Sequence, residues 1–325
     1  MKKVSFSILI GLLSAVFGQL YAQDNAKIKT LIVDGQNNHG QWPKITIMLK
    51  NYMEESGLFT VDVHRSAYTW EGDAYILQFP IEQEGATEAL DKPKTDPNYS
   101  PDFSKYDVII SNFGWNAASW PKATQKAFET YIKAGGGLVV FHAANNSFPE
   151  WKAYNKMIGL GGWGNRTEKD GPYVYYNNAG ELIRDTSPGK GGAHGPESEY
   201  QIQIRDADHP ITKGMPKIWM HTKDELYNSL RGPAEHMNVL ATAYADPNKG
   251  GTGRHEPALM ALSYGQGRIF HNIMGHDDTS VNCIGFITTM LRGAEWAATA
   301  KVTQEIPENF PTAEKSSSRK FSIRK

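Results

Sequence analysis

The chain holds one cysteine in 325 residues, Cys283, and that scarcity removes two classes of architecture. No internal disulfide can form, and no cysteine-based zinc framework can be built. An excess of charge of either sign is missing too: 34 Lys and Arg stand against 35 Asp and Glu, a formal net charge of −1. So even a balance argues against nucleic acid or an anionic membrane as the partner. The loop after the first predicted strand lacks G-x-G-x-x-G, so no nucleotide cofactor is expected. No convincing internal repeat occurs, and long apolar runs are confined to the N-terminus.

Residues 1–22 stand apart from the fold. Lys2 and Lys3 precede an apolar run from Val4 to Phe17, and Leu20-Tyr21-Ala22 reads as a signal-peptidase site before Gln23. The run is too short and too poorly flanked for a membrane span, and no cysteine beside the cleavage site offers a lipoprotein anchor. A secreted or periplasmic protein is expected, with no membrane contact after cleavage. The rest divides into one α/β domain over 23–300 and a tail over 301–325.

Strand-like and helix-like segments alternate. Residues 27–34 read as a strand, 35–40 as a polar loop, and Pro43 opens a helix through about residue 56. Residues 58–64 follow as a second strand, a right-handed βαβ opening. An irregular insertion is expected over 66–104, a third strand over 106–112 and a helix from Pro121. Gly135-Gly136-Gly137 then introduces an apolar, buried strand ending at His142, with a helix expected over 147–158. A second insertion, 159–198, is rich in glycine and aromatics. Strands are expected over 199–205, 239–244, 258–263 and 269–274, around a polar cluster at 219–227. A helix over 281–296 closes the domain and carries Cys283 as a buried, inert thiol, and the tail from Ile306 reads as loosely held.

In open α/β sheets ligands bind outside the carboxyl ends of the strands. His142 is set down there, as are His39 and Asn112, and Trp115 shares the loop after the third strand. A histidine so placed is a general base, a metal ligand, or merely a partner of loop backbone. Five histidines are able to converge: His39, His142, His194, His271 and His276. No H-x-x-x-H or H-E-x-x-H spacing nominates a pair. His221, His236 and His255 are taken as structural or surface residues. Asp224 and Glu225 are adjacent, so at most one faces a given site. The aromatics of 161–176, Trp163 among them, form either a platform for a sugar ring or a small core under the loop.

Taken in order, these pieces resemble a known family. They are the glycine-rich strand ending in His142-Ala143, His194-Gly195, His209-Pro210-Ile211-Thr212 and Asp224-Glu225-Leu226-Tyr227. Tyr264-Gly265-Gln266-Gly267-Arg268-Ile269-Phe270 through Gly275-His276, and Gly293-Ala294-Glu295-Trp296-Ala297, complete the set. Over residues 27–297 the chain resembles the ThuA-like (trehalose-utilisation) proteins of the class I glutamine amidotransferase-like superfamily. The resemblance implies an α/β fold with a flavodoxin-like, doubly wound, mostly parallel sheet. Glutaminase chemistry is rejected, since the turn after the central strand holds His142 where a cysteine nucleophile is needed, and no G-x-S-x-G elbow surrounds Ser147.

The family's association with sugar catabolism implies an enzyme acting on a sugar or 3-keto-glycoside as hydrolase, lyase or isomerase. His142, Glu225 and His276 are the expected catalytic residues. His39, Asn112, Trp115, Trp163, His194, Asp224 and Tyr227 are expected at the substrate. A divalent, zinc-like metal on His142, His194 and His276, or a second neutral histidine, would polarise the carbonyl. The alternative is a non-catalytic carbohydrate-binding or accessory module using the same crevice. The expected partner is a carbohydrate or keto-sugar, with a homo-oligomer left open.

Overall fold

The computed structural model describes residues 26–82 and 85–322. The export signal expected over 1–22 lies outside the described residues. β1 (Ile28–Gln36) is buried along its last seven positions, as a strand covered on both faces must be. α1 (Trp42–Glu55) carries Pro43 in its first turn and turns Trp42, Ile45, Met48, Leu49 and Tyr52 inward. That spacing lays one apolar face on β1 and on β2 (Phe59–Trp70). Short α2 (Asp73–Ile76) and β3 (Glu88–Ala89) lead to β4 (Val108–Ser111), α3 (Lys122–Lys133) and the wholly buried β5 (Gly137–Phe141). α4 (Lys152–Ile158) precedes a hairpin of β6 (Tyr173–Tyr176) and β7 (Leu182–Asp185). Next come β8 (Ala193–His194), β9 (Ser198–Ile204), β10 (Ile218–Asp224) and β11 (Tyr227–Asn228). β12 (Met237–Tyr244), β13 (His255–Tyr264) and β14 (Gly267–Asn272) lead to α5 (Asp278–Val281) and α6 (Ile284–Thr299).

Twelve of these strands form one sheet. Its parallel part runs β2-β1-β4-β5-β14, the 2-1-3-4-5 order of flavodoxin-like folds. Helices cover both faces. Phe270 would meet any Cβ added at Gly293 of α6, while Gly267 lies against Ile132 of α3. The two β14 positions are three apart and so point to opposite sides. Beyond β14 the sheet continues antiparallel through β13, β12, β9 and β10. Four reversals leave β10 running in the same direction as β14. Register shifts in β12–β13 and β9–β10 bend this half, and β10 packs against α5 and α6. The carboxyl end of β10 thereby reaches the edge where the parallel strands end.

Several expectations need correction. β2 runs on to Trp70, so the first insertion starts later than residue 66 and contributes β3 to the sheet edge. The helix expected over 147–158 begins only at Lys152. Pro149 disfavours helix in the residue before it, and Phe148 takes φ +48 and plugs the core. The second insertion, 159–198, holds the β6–β7 hairpin and β8. Cys283 is buried but sits at the N-cap of α6 instead of inside a helix. The tail is pinned: Thr312 O accepts from Met220 N at 2.7 Å, Ser317 O accepts from Ile284 N at 2.8 Å, and Phe310 packs on Trp219. It covers the outer side of α6 and the edge of β10, which explains why α6 is buried nearly all round. Among the described residues no helix is long and apolar enough to cross a membrane.

Candidate functional site

Four segments end at one edge of the sheet and each delivers a side chain. The loop after β1 brings His39, held by Asn37, whose Oδ1 accepts from the His39 backbone at 2.9 Å and lies 3.2 Å from its Nδ1. The turn after β5 brings His142, with φ +39. A non-glycine residue there stores strain on the order of 1 kcal/mol or more, and the surrounding contacts must hold it. One is the bond from His142 Nδ1 to Ile273 O, 3.0 Å. Beyond β10 comes Glu225, and beyond β14 comes His276, after Gly275 with φ +114.

His39, His142, His276 and Glu225 present ligand-capable atoms that all lie within 4.8 Å of one another. Glu225 Oε2 is 3.8 Å from His142 Nε2, and Oε1 is 3.7 Å from His276 Nε2 and 3.5 Å from His194 Nδ1. His276 Nδ1 lies 3.2 Å from Glu197. The rings of His39 and His276 are 4.7 Å apart, and those of His39 and His142 4.9 Å. Because a carbonyl only accepts, His142 carries its proton on Nδ1 and presents a bare lone pair on Nε2. That buried Nε2 has no hydrogen-bond partner among the described residues.

Burial sets the proton affinities. It pulls His142 down to about 3, against the opposing pull of Asp224. Burial also lowers His39 well below the ordinary imidazole range, helped by its neighbours His142, His276 and His194. Glu225 moves the other way, raised chiefly by burial and opposed by His276 and His194. His39 and His142 are therefore neutral at physiological pH.

Asp224 settles the choice between the adjacent acids. It is buried and takes five donors: His221 Nε2 at 2.8 Å, the backbone N–H of Gly275, Glu225 and His276 at 2.9, 2.9 and 3.1 Å, and Tyr200 OH at 3.4 Å. Burial alone would raise its carboxyl, but the hydrogen bond and charge of His221 more than offset that and hold it below its ordinary value. Asp224 is thus a hub beneath the site, not the substrate contact expected of it. Glu225 takes the open face.

Above the cluster lies a cavity of about 330 Å³ lined by Asn38, His39, Trp115, Asn146, Trp163, His194, Glu225 and Tyr227. Tyr227 stacks on His142 at 4.2 Å, and Trp163 meets Tyr227 edge-on at 4.9 Å. Trp163 takes φ +51, and its N–H donates to Gly191 O at 2.7 Å. A Cβ at Gly192 would come within 2.6 Å of that nitrogen, so glycine is required there. Trp115 stays 41% exposed. Asn146 is buried, with Oδ1 unpartnered. Among the described residues no Lys or Arg lines the cavity.

Most of the expected residues meet here, with four changes of place. His194, expected among the metal ligands, stands on the rim with Nδ1 bonded to Gly195 O at 2.9 Å, outside the four-residue cluster. His39, expected only at the substrate, lies inside it. Asn112 does not line the cavity; its amide donates to Trp42 O and Thr46 Oγ1 and ties α1 to the sheet. His271 does not converge either, being buried between Ile158 O at 2.8 Å and Asn145 at 3.0 Å. Asn37, Asn38, Asn146 and Glu197 were not foreseen. The first three neighbour His39 or follow His142 in polar turns, a local signal that was readable. Glu197 reaches His276 from 79 residues away in the chain, with no local signal.

Among curated proteins none matches the sequence. A ThuA-like protein from Parabacteroides merdae ATCC 43184 is 40% identical, with TM-score 0.79 over 90% of this chain and 98% of that one. A ThuA-like protein from Bacteroides uniformis ATCC 8492 is 16% identical, with TM-score 0.53 over 85% and 94%, and shares the fold. The sequence pattern of the ThuA family, described as trehalose utilisation, matches residues 29–297. With the flavodoxin-like sheet, the chain belongs to the ThuA-like family.

Proposed function

We propose that the cavity binds a neutral carbohydrate, in particular a keto-sugar or 3-keto-glycoside, and catalyses proton abstraction beside its carbonyl. The observation that carries this reading is the lining: aromatic faces, amides and titratable groups converge in one cavity that offers no Lys or Arg. Such a surface suits a polyhydroxylated, uncharged ring and gives a phosphorylated or carboxylated sugar no basic side chain to pair with. Tyr227, Trp163 and Trp115 wall the space, and the open Asn146 oxygen accepts from a hydroxyl.

A carbonyl at C3 acidifies the neighbouring C–H. A base takes that proton, the electron pair passes into the enolate, and reprotonation isomerises the sugar or collapse expels the leaving group with a proton. His194 fits the base better than the buried His142. Its Nδ1 donates to Gly195 O, leaving Nε2 as acceptor, and Glu225 lies 3.5 Å from Nδ1 to stabilise the imidazolium. We place this activity in the periplasm or outside the cell on the strength of residues 1–22 alone. N-terminal sequencing of the native protein should begin at Gln23.

The test is incubation of the purified protein with neutral glycosides, 3-keto-glycosides and sugar phosphates in D2O, read by NMR. Deuterium should enter beside the carbonyl of the keto-sugar alone, and His194→Gln should abolish exchange while retaining binding. Glycan binding with no exchange or turnover on any keto-sugar would replace this reading with a binding module, for which exposed Trp115 is the supporting feature.

A further inference from the structure

The floor of the cavity has an unusual property: the groups that meet there are acceptors. His142 keeps its proton on Nδ1, bonded to Ile273 O at 3.0 Å. His39 Nδ1 lies 3.2 Å from Asn37 Oδ1, whose amide nitrogen is turned towards Asn112. His276 Nδ1 lies 3.2 Å from a Glu197 carboxylate oxygen. Ile273 O and Asn37 Oδ1 each take a proton from Nδ1 and leave Nε2 as a lone pair; the Glu197 carboxylate stands at ion-pair distance beside His276 Nδ1 and favours the proton there. One ligand-capable nitrogen from each of the three histidines and a Glu225 carboxylate oxygen lie within 4.8 Å of one another. Acceptors crowded together repel unless a cation sits between them, and four groups cannot be joined by one proton.

We infer that His39, His142 and His276, through Nε2, and Glu225, through its carboxylate, bind a divalent transition-metal ion. Ligand atoms placed about 2.0–2.2 Å from a common ion lie at most roughly 4.4 Å apart. The separations of 3.7 and 3.8 Å from Glu225 to His276 and His142 fall inside that span, and the widest, at up to 4.8 Å, closes with a shift of a few tenths of an ångström. Ile273 O and Asn37 form the outer shell that such histidines need, fixing tautomer and ring orientation, and Glu197 stands 3.2 Å from His276 Nδ1. Asp224 supports Glu225 and adds a second support to His276, since it accepts from the backbone N–H of both. Three imidazoles and one carboxylate without thiolate suit zinc, cobalt, iron(II), nickel or manganese, and disfavour calcium, magnesium and copper(I).

The ion's part in turnover rests on the function proposed above, where it supplies the carbonyl polarisation that bare lone pairs lack. Its binding does not. The test uses the full chain purified without added metal or chelator, then stripped and titrated with Zn(II) and Co(II). Mass spectrometry should find close to one ion per chain, and Co(II) should give the visible absorption of nitrogen and oxygen ligation. His39→Gln and Glu225→Gln should each weaken Co(II) binding by about 100-fold or more, and Glu197→Gln by about 10–100-fold. His194→Gln should leave Co(II) affinity unchanged. Melting of each stripped variant beside the stripped parent shows whether it folds, and the parent's own spectrum needs no variant. A stripped chain that takes up neither ion, or unaltered affinity in a folded His39→Gln, overturns the site. Metal bound without keto-sugar exchange would sink the proposed function and leave the site standing; exchange by a metal-free chain would remove the ion from turnover, while uptake of Zn(II) or Co(II) alone decides the site.

Discussion

Asp224 and Glu225 are neighbours with the same charge, and the molecule uses them in opposite ways. The Asp224 carboxylate is saturated by His221, Tyr200 and three backbone N–H groups. Glu225 accepts no hydrogen bond from the described residues and instead faces His142, His194 and His276 at 3.5–3.8 Å. The two histidine environments differ in the same sense. Burial works against charge on His221, but Cys283 and Asp224 outweigh it and push that imidazole up to about 9. His142 lacks such a bonded partner and is pulled down to about 3. A buried polar group whose bonds are complete holds the fold together; one left incomplete beside a cavity is available to a ligand.

The largest effect should come from breaking the saturated member. Asp224→Ala leaves His221 buried without its partner and frees three backbone donors, and should cost about 3–5 kcal/mol in urea unfolding. Glu225→Ala should change stability by less than about 1 kcal/mol. Equal losses in the two variants would erase the distinction.

A third carboxylate sharpens the comparison. Glu256 is buried with Thr252 Oγ1 as its side-chain donor at 2.6 Å, and burial pushes it up to about 7. Its folded proton affinity exceeds the unfolded one, near 4.5, so its contribution is fully present below pH 4.5 and lost as pH rises through 7. Glu256→Gln should therefore gain on the order of 2 kcal/mol at pH 8 and nothing at pH 4. Thermal melts across that range read the difference; an equal gain at both pH values would contradict it.

Cys283→Ala removes a buried thiol beside His221 and should cost about 1–2 kcal/mol while leaving the proposed keto-sugar turnover in place. Lost turnover in a folded variant would revive nucleophilic chemistry. The smallest stability effect belongs to the exposed wall: Trp115→Ala should cost below about 0.5 kcal/mol. By calorimetry it should still weaken sugar binding by up to about tenfold. Unchanged binding would remove Trp115 from the subsite.

Much of the fold was legible because its signals are local. The glycines before β5, the apolar run through it and Pro43 at the start of α1 each act over a few residues. They led to an α/β sheet with His142 at a strand end. The choice between Asp224 and Glu225 was not legible: alternation puts them on opposite sides but does not say which side the site occupies. The shift of register between His221 and Asp224 decides that. His39 entering the cluster and His194 leaving it depended on Asn37 and Gly195, contacts that hydropathy does not report.

By itself, then, the sequence determined that strands and helices alternate, that no thiol framework exists, and that histidines stand at strand ends. Only the tertiary structure decided which of them meet. Residues 39, 142, 225 and 276 are brought together by the order of the parallel strands and by the bend of the antiparallel half that returns β10 to the same edge. Local pattern reports burial along one segment, whereas convergence depends on how segments far apart in the chain pack.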